Sequence, residues 1–342
     1  MTISLCMIVK NEEAVLDRCL GSIADLMDEI VIVDTGSTDR TKEIASKYTD
    51  RIYDFEWIGD FSAARNFAFS KATMDYIYSA DADEVVDAVN HERFRLLKEK
   101  LLPEIDLVQM KYGNQLQYST VYNFDEEYRP KLFKRLRPFV WEEPVHEQVR
   151  LNPVIYDSDV VITHMPQGSH AGRDLKIFRE KTAGGEQLSR RLFDMYVREL
   201  FLAGDEEDFR GAKKYFLAAA ADTSRSSDEV REACLVVAHA AELAGDTVTF
   251  FKYIVKLMAD DPSSETCIEL GRFYEKQKDY EEAAIWYYNA AFETTPIVRM
   301  ASANADAAGG LKRVYEAMGM PEAADSFLQD IANRMNLTAG LS

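Results

Sequence analysis

The stretch YIYSADADEVVD, Tyr76 to Asp87, joins two kinds of chemistry. Its opening residues, Tyr76-Ile77-Tyr78, are aromatic or branched, as a buried strand requires. Its second half sets Asp81, Asp83, Glu84 and Asp87 within seven positions, where carboxylates repel one another. Such a cluster is either a solvated acidic turn or a place for a cation, and the surrounding sequence decides which.

Upstream, TISLCMIV (2–9) is an apolar run closed by the polar turn KNEE. AVLDRCLGSIADL then has helical spacing, with Leu16, Leu20, Ile23 and Leu26 on one face. EIVIVDTGSTD is a continuous branched strand ending in a polar turn, TKEIASKY is helical, RIYDFEW is strand-like and FSAARNFAFSKA is helical. With YIYSADADE this gives strands alternating with helices, the pattern of a parallel sheet covered on both faces. Ligands of such sheets sit at the carboxyl ends of the strands. Three polar clusters fall there: KNE, DTGSTD and DADE.

From about residue 104, strand-like pieces (DLVQMKY, STVYNF, KLFKR, VVITHM) continue to about residue 165 and predict a mixed sheet completing the first domain. Beyond residue 172 proline becomes scarce and the chain reads as helical. CIELGRFYEKQKDYEEAAIWYYNAAFET has tetratricopeptide spacing, with Leu270-Gly271, Tyr274, Tyr280, Ala283, Tyr287 and Ala290 in place. Three weaker helix–turn–helix pairs accompany it. The expected domains are an α/β domain over 1–172 and an all-α repeat domain over 173–342.

The 342-residue chain is 47% hydrophobic and carries a net charge of −19, a globular composition that disfavours nucleic-acid binding. The four cysteines form no CxxC pair, and no run approaches the roughly 18 apolar residues of a membrane span. A cytoplasmic protein is expected.

In Asp81-Ala82-Asp83 the outer carboxylates can share one side of the turn, with the small alanine between. A hard divalent cation, Mn²⁺ or Mg²⁺, takes such oxygens together with substrate phosphates. Asp34 ends its strand where it can accept from a ligand N–H, while Ser37 or Thr38 is expected to cap the next helix. Arg65 is either a surface ion pair or a phosphate clamp.

CMIVKNEEAVLDRCLGSI, EIVIVDTGSTDRTKEIA, DFSAARNFAFSKA and YIYSADADE, in this order, resemble the family-2 glycosyltransferases of the GT-A fold over roughly residues 1–165. The resemblance implies transfer of a sugar from a nucleotide-sugar with inversion at the anomeric carbon. It places Val9, Asn11 and Glu12 near the nucleotide, Asp34 on the uracil ring and Arg65 near the diphosphate. Asp81, Ala82 and Asp83 would meet the donor, with Asp81, Asp83 and His164 around the metal. A departure is Val9-Lys10, where proline is common in the family.

An inverting transfer needs a base to take the acceptor proton. The PVHE segment resembles the region where the family carries it, so Glu147 is expected in that role, then Glu143 or His146. Glu84 is left for the donor sugar, Asp87 for a helix cap, and His170, Arg173 and Lys176 for a segment covering phosphate. His91 and His239 fall in helical runs with no evident partner.

A family-2 domain followed by helical repeats resembles bacterial enzymes that glycosylate bacteriocin peptides or flagellin. That implies a UDP-sugar donor of glucose or N-acetylglucosamine type and a Ser/Thr or Cys side chain of a protein or peptide as acceptor. The repeats could also carry a homodimer contact. An envelope polysaccharide or lipid-linked glycan as acceptor, and a non-catalytic repeat scaffold, are the competing expectations.

Overall fold

The computed structural model describes residues 1–113, 127–137, 139–149, 153–165, 171–259 and 261–339. The chain divides into two compact units, Met1–His170 and Ala171–Ser342.

In the first unit the apolar runs form the parallel strands β1 (Ile3–Val9), β2 (Glu29–Asp34), β3 (Ile52–Asp54) and β4 (Tyr76–Ala80). Between them run α1 (Leu16–Gly21), α2 (Thr41–Ala45) and α3 (Phe61–Lys71). β1 lies between β2 and β4, with Leu5 opposite both Ile30 and Tyr78. Covered on both faces, it tolerates the unbroken run ISLCMIV that a half-exposed strand would not. The strand expected over RIYDFEW shrinks to three residues at the sheet edge, where it pairs with β2.

The chain continues through β5 (Glu84–Val85), α4 (Ala88–Lys100), β6 (Leu107–Gly113) and β7 (Glu127–Lys134). β8 (Trp141–Glu142), β9 (Gln148–Val149) and β10 (Ile155–His164) follow. The main sheet has the order β3-β2-β1-β4-β7-β6-β10-β5, with β7 antiparallel to both neighbours. The expected strand STVYNF (119–124) lies outside the described residues. One core layer holds Leu5, Leu16, Tyr78, Phe94 and Ile162, and the opposite layer holds Val31, Ala68, Ile77, Phe133 and Trp141. Asp87 caps α4 as expected, accepting from Asn90 N at 2.8 Å, a contact worth about 1 kcal/mol.

The second unit is built of helices among its described residues: α5 (Ala171–Ala183), α6 (Arg190–Ala203), α7 (Glu206–Ala219), α8 (Ser227–Leu243) and α9 (Thr247–Met258). They are followed by α10 (Ser264–Lys276), α11 (Tyr280–Phe292), α12 (Ala305–Ala317) and α13 (Pro321–Ala339). The Gly-Asp turns work as stop and start signals: Gly245 takes φ +70° and Asp246 caps α9. Tyr287 of α11 is fully buried between Gly271 of α10 and Gly310 of α12, where a Cβ at either glycine would strike its ring. No described helix is long and apolar enough to cross a membrane.

Candidate active site

The turns after β1 and β2 are stitched together by polar bonds. Asn11, at φ +56°, donates its N–H to Ser37 Oγ (2.9 Å) and accepts from Thr38 N at Oδ1 (2.8 Å). Glu12 N donates to Thr41 Oγ1 at 2.7 Å, and Val9 O accepts from Thr35 N at 2.9 Å. Ser37 and Thr38 therefore do not cap α2, contrary to expectation. Asp39 does the nearest equivalent, accepting from Thr41 N at 3.0 Å.

Asp34 is fully buried at the end of β2. Its Oδ1 accepts from the N–H groups of Gly36 and Ser37, both at 2.9 Å, with Gly36 at φ +102° making the tight turn. Its Oδ2 has no hydrogen-bond partner among the described residues. A buried carboxylate oxygen without a donor is costly, and a ligand N–H at that position would remove the cost.

The DAD turn follows β4. Ala82 packs into the core layer with Tyr78 and Phe94. Asp83 is brought to His164 by the antiparallel pairing of β5 with β10, in which His164 sits opposite Glu84. Asp83 Oδ2 lies 3.2 Å from His164 Nε2, and Met165 N donates to Asp83 O at 2.9 Å. Asp83 and His164 thus offer a carboxylate oxygen and an imidazole nitrogen side by side, a pair that Mn²⁺ accepts. The Asp81 carboxylate is turned to Arg65 and Lys131 and is not gathered with them.

Asp81 is held from two sides. Its Oδ1 lies 3.4 Å from Arg65 Nη2 and its Oδ2 lies 3.8 Å from Lys131 Nζ. Burial works to raise the Asp81 pKa, but Lys131 and Arg65 outweigh it and the carboxyl is lowered below its ordinary value. Glu84 does not reach toward a donor sugar as expected. It is 2% exposed and ion-paired with Lys131. Burial pushes its carboxyl up to about 7, against the pull of Lys131.

Arg65 is neither a surface residue nor free to grip phosphate, since its guanidinium is already engaged by the protein. Nη1 donates to Ser79 Oγ at 2.7 Å, and Nε and Nη2 donate to Glu147 Oε1 at 3.0 and 2.5 Å. Its face stacks on Trp141, 4.7 Å from the ring centroid. Glu147 Oε2 takes none of these bonds. Glu147 shares its loop with Glu143 and His146, whose φ values are +72° and +49°. The first turns of α3 hold that loop: Phe61 N donates to Pro144 O at 2.9 Å and Ser62 Oγ donates to Glu143 O.

His170 lies outside the described residues. Arg173 and Lys176 belong to α5 of the second unit, beside Asp174 and Glu180. His91 and His239 both have partners, Asp25 at 2.9 Å and Glu269 at 2.8 Å. Lys131 and Ser79 carry no mark in the sequence that separates them from ordinary strand residues, save that the lysine alternates with Phe133 on the buried face of its strand.

Residues 4–152 match the family model described as Glycosyl transferase family 2. Over these residues the N-terminal domain is similar to glycosyltransferase family 2. Its curated relatives include a TPR repeat-containing protein of Synechococcus elongatus, 37% identical over 149 residues, or 43% of this chain and 35% of the relative. The prophage-derived glycosyltransferase SunS of Bacillus subtilis is 38% identical over 91 residues, 26% of this chain and 22% of SunS. An uncharacterised glycosyltransferase of Rickettsia typhi is 37% identical over 82 residues, 24% of this chain and 28% of that protein. The chain thus spans about a third or less of the length of these relatives.

Similar solved structures include glucosyl-3-phosphoglycerate synthase from Mycobacterium tuberculosis in complex with Mn²⁺ and UDP-glucose. It is 14% identical over 55% of this chain and 80% of that one, with a TM-score of 0.39. S. aureus TarS is 14% identical over 73% of this chain and 54% of that one, also at 0.39. The domain that matches this model is an α/β unit with a mixed sheet, and an all-helical region follows it.

Proposed function

We propose that this chain is a divalent-cation-dependent, inverting glycosyltransferase that moves a sugar from a UDP-sugar to a side chain of a polypeptide. The observation that carries the reading is the meeting of Asp83 and His164 at 3.2 Å, in a domain that matches the family-2 model. Asp81, Asp83 and His164 would hold Mn²⁺ or Mg²⁺. Bound there, the cation supplies charge stabilisation for the departing diphosphate. Asp34, through its unpartnered Oδ2, receives a ring N–H of the uracil. Val9, Asn11 and Glu12 shape the wall beside it.

Glu147 takes the acceptor proton. One of its oxygens is anchored by Arg65, which orients the carboxylate and leaves Oε2 for the proton. As the acceptor hydroxyl or thiol loses that proton, its oxygen or sulfur bonds to the anomeric carbon. The bond from that carbon to the diphosphate breaks on the opposite face. Glu143 and His146, on the same loop, are the alternative bases.

The polypeptide acceptor is supported by the helical unit, since stacked helix pairs present extended surfaces. A cavity of about 320 Å³ opens there, lined by Phe201, Phe209, His239, Glu269, Arg272 and Arg299. The test is a panel of UDP-sugars incubated with the purified chain and Mn²⁺, with UDP release followed by mass spectrometry. Release from none of the panel, or undiminished release in EDTA, defeats the reading.

A further inference from the structure

The Lys131–Glu84 pair is unexplained by the roles above. Lys131 sits in β7, the strand inserted between β4 and β6, and is 5% exposed. Its Nζ is ion-paired with Glu84, 3.4 Å from Ser79 O, 3.8 Å from Asp81 Oδ2 and 5.1 Å from the Tyr112 ring. Buried ion pairs are seldom worth their desolvation for stability alone. This one lies directly beneath the DAD turn.

The charges around that turn are partly balanced without any ligand. Asp81, Asp83, Glu84 and Glu147 are the carboxylates and Arg65 and Lys131 the cations that pair with them; Arg129, stacked 4.1 Å from the Tyr112 centroid, is itself paired with Glu127 at 2.5 Å. The acidic crowding at residues 81–87 is therefore partly offset inside the protein. A divalent cation arriving alone would meet a turn whose first carboxylate is already shared by Arg65 and Lys131. One arriving with a diphosphate brings its own counter-charge.

We propose that Lys131, fixed by Glu84, is an internal counter-cation of the DAD turn. It positions Asp81 before any ligand binds and, by competing for that carboxylate, makes retention of the divalent cation depend on the nucleotide. Lys131 acts through Asp81 and is a positioning residue. This inference rests on the metal reading proposed above for the same turn.

The test is Mn²⁺ binding to the full chain, followed by the electron paramagnetic resonance signal of free Mn²⁺, with and without UDP. The wild type is expected to bind Mn²⁺ weakly alone and more tightly with UDP. Lys131→Met combined with Glu84→Gln, which leaves no buried charge unpaired, is expected to bind Mn²⁺ alone about tenfold more tightly, because a unit charge under 4 Å from a ligand carboxylate is gone. Lys131→Gln, which keeps a donor toward Glu84, should shift in the same direction, and Lys131→Arg should stay near the wild type. A merely structural role would weaken the metal site in every variant. Unchanged or weaker Mn²⁺ binding in the folded Met/Gln or Gln variant overturns the inference while leaving the metal reading intact. Absence of Mn²⁺ binding to the wild type even with UDP overturns both.

Discussion

Arg65 Nη2 and Glu147 Oε1 lie 2.5 Å apart, tying α3 to the loop between β8 and β9. The same guanidinium reaches Asp81 at 3.4 Å. One side chain thus links the proposed base loop to the proposed metal turn, two segments more than sixty residues apart in sequence. Burial disfavours the Arg65 charge, yet Glu147 and Asp81 together raise its pKa. Replacing Arg65 by alanine should destabilise the protein by about 3 kcal/mol, since two carboxylates lose their shared cation. Chemical denaturation of the variant measures this, and a loss below about 1 kcal/mol would show that the pair is dispensable.

Glu147→Gln keeps the shape and one acceptor oxygen for Arg65 but cannot take a proton. UDP-sugar affinity by calorimetry should stay near the wild-type value, while transfer falls about 100-fold or more. Normal turnover would transfer the base role to Glu143 or His146.

Asp83→Ala removes a proposed cation ligand and the partner of His164. Mn²⁺-dependent release of UDP from the donor should be abolished, and EDTA should do the same to the wild type. A variant that keeps its metal-stimulated rate would contradict the assignment.

The helical unit has its own pH sensitivity. Glu232 lies 3.3 Å from Arg190, which also pairs with Asp194 at 3.1 Å. Burial, reinforced by Asp194, raises the Glu232 pKa above its ordinary 4.5, with Arg190 opposing. A raised carboxyl pKa means the folded state holds a proton that the unfolded chain has released. Stability from this group is therefore full below about pH 4.5 and declines as pH rises toward the folded value. Thermal unfolding by circular dichroism across this range should show a steeper loss in the wild type than in Glu232→Gln. Parallel curves would refute the linkage.

Tyr287 is clasped by glycines from two neighbouring helices. Gly271→Ala puts a Cβ 2.8 Å from its ring, and overpacking of this kind costs about 1–3 kcal/mol. Gly310→Ala should behave likewise. In the Tyr287→Ala background the added penalty should vanish, a coupling that a double-mutant cycle reads directly. Additive losses would mean the glycines are needed for some other reason.

How far the fold could be read varied with the range of the interactions involved. ISLCMIV, EIVIVD and YIYSA announced buried strands through continuous apolar runs, and FSAARNFAFSK announced its helix. The helix pair around Leu270 and Tyr287 was legible because its glycine and aromatic spacing repeats within one turn–helix unit. RIYDFEW was overread, because its pattern carries no mark of an edge position. The cap expected from Ser37 or Thr38 failed because those groups bond across to Asn11 and the backbone beside it, a competition no local rule anticipates.

The sequence by itself determined an alternating strand–helix domain, a helical second unit, and the placing of Asp34 and the DAD turn at strand ends. Those features depend on periodicity and turn chemistry, which act over a few residues. The tertiary structure alone decided that β7 inserts between β4 and β6, bringing Lys131 beneath Asp81, and that β10 returns beside β5 with His164 against Asp83. It also turned Arg65 inward to Glu147 and sealed Glu84 in a buried pair. Each of these is a pairing across tens of residues. Strand order and register set such pairings, and neither is written in the local pattern of either partner.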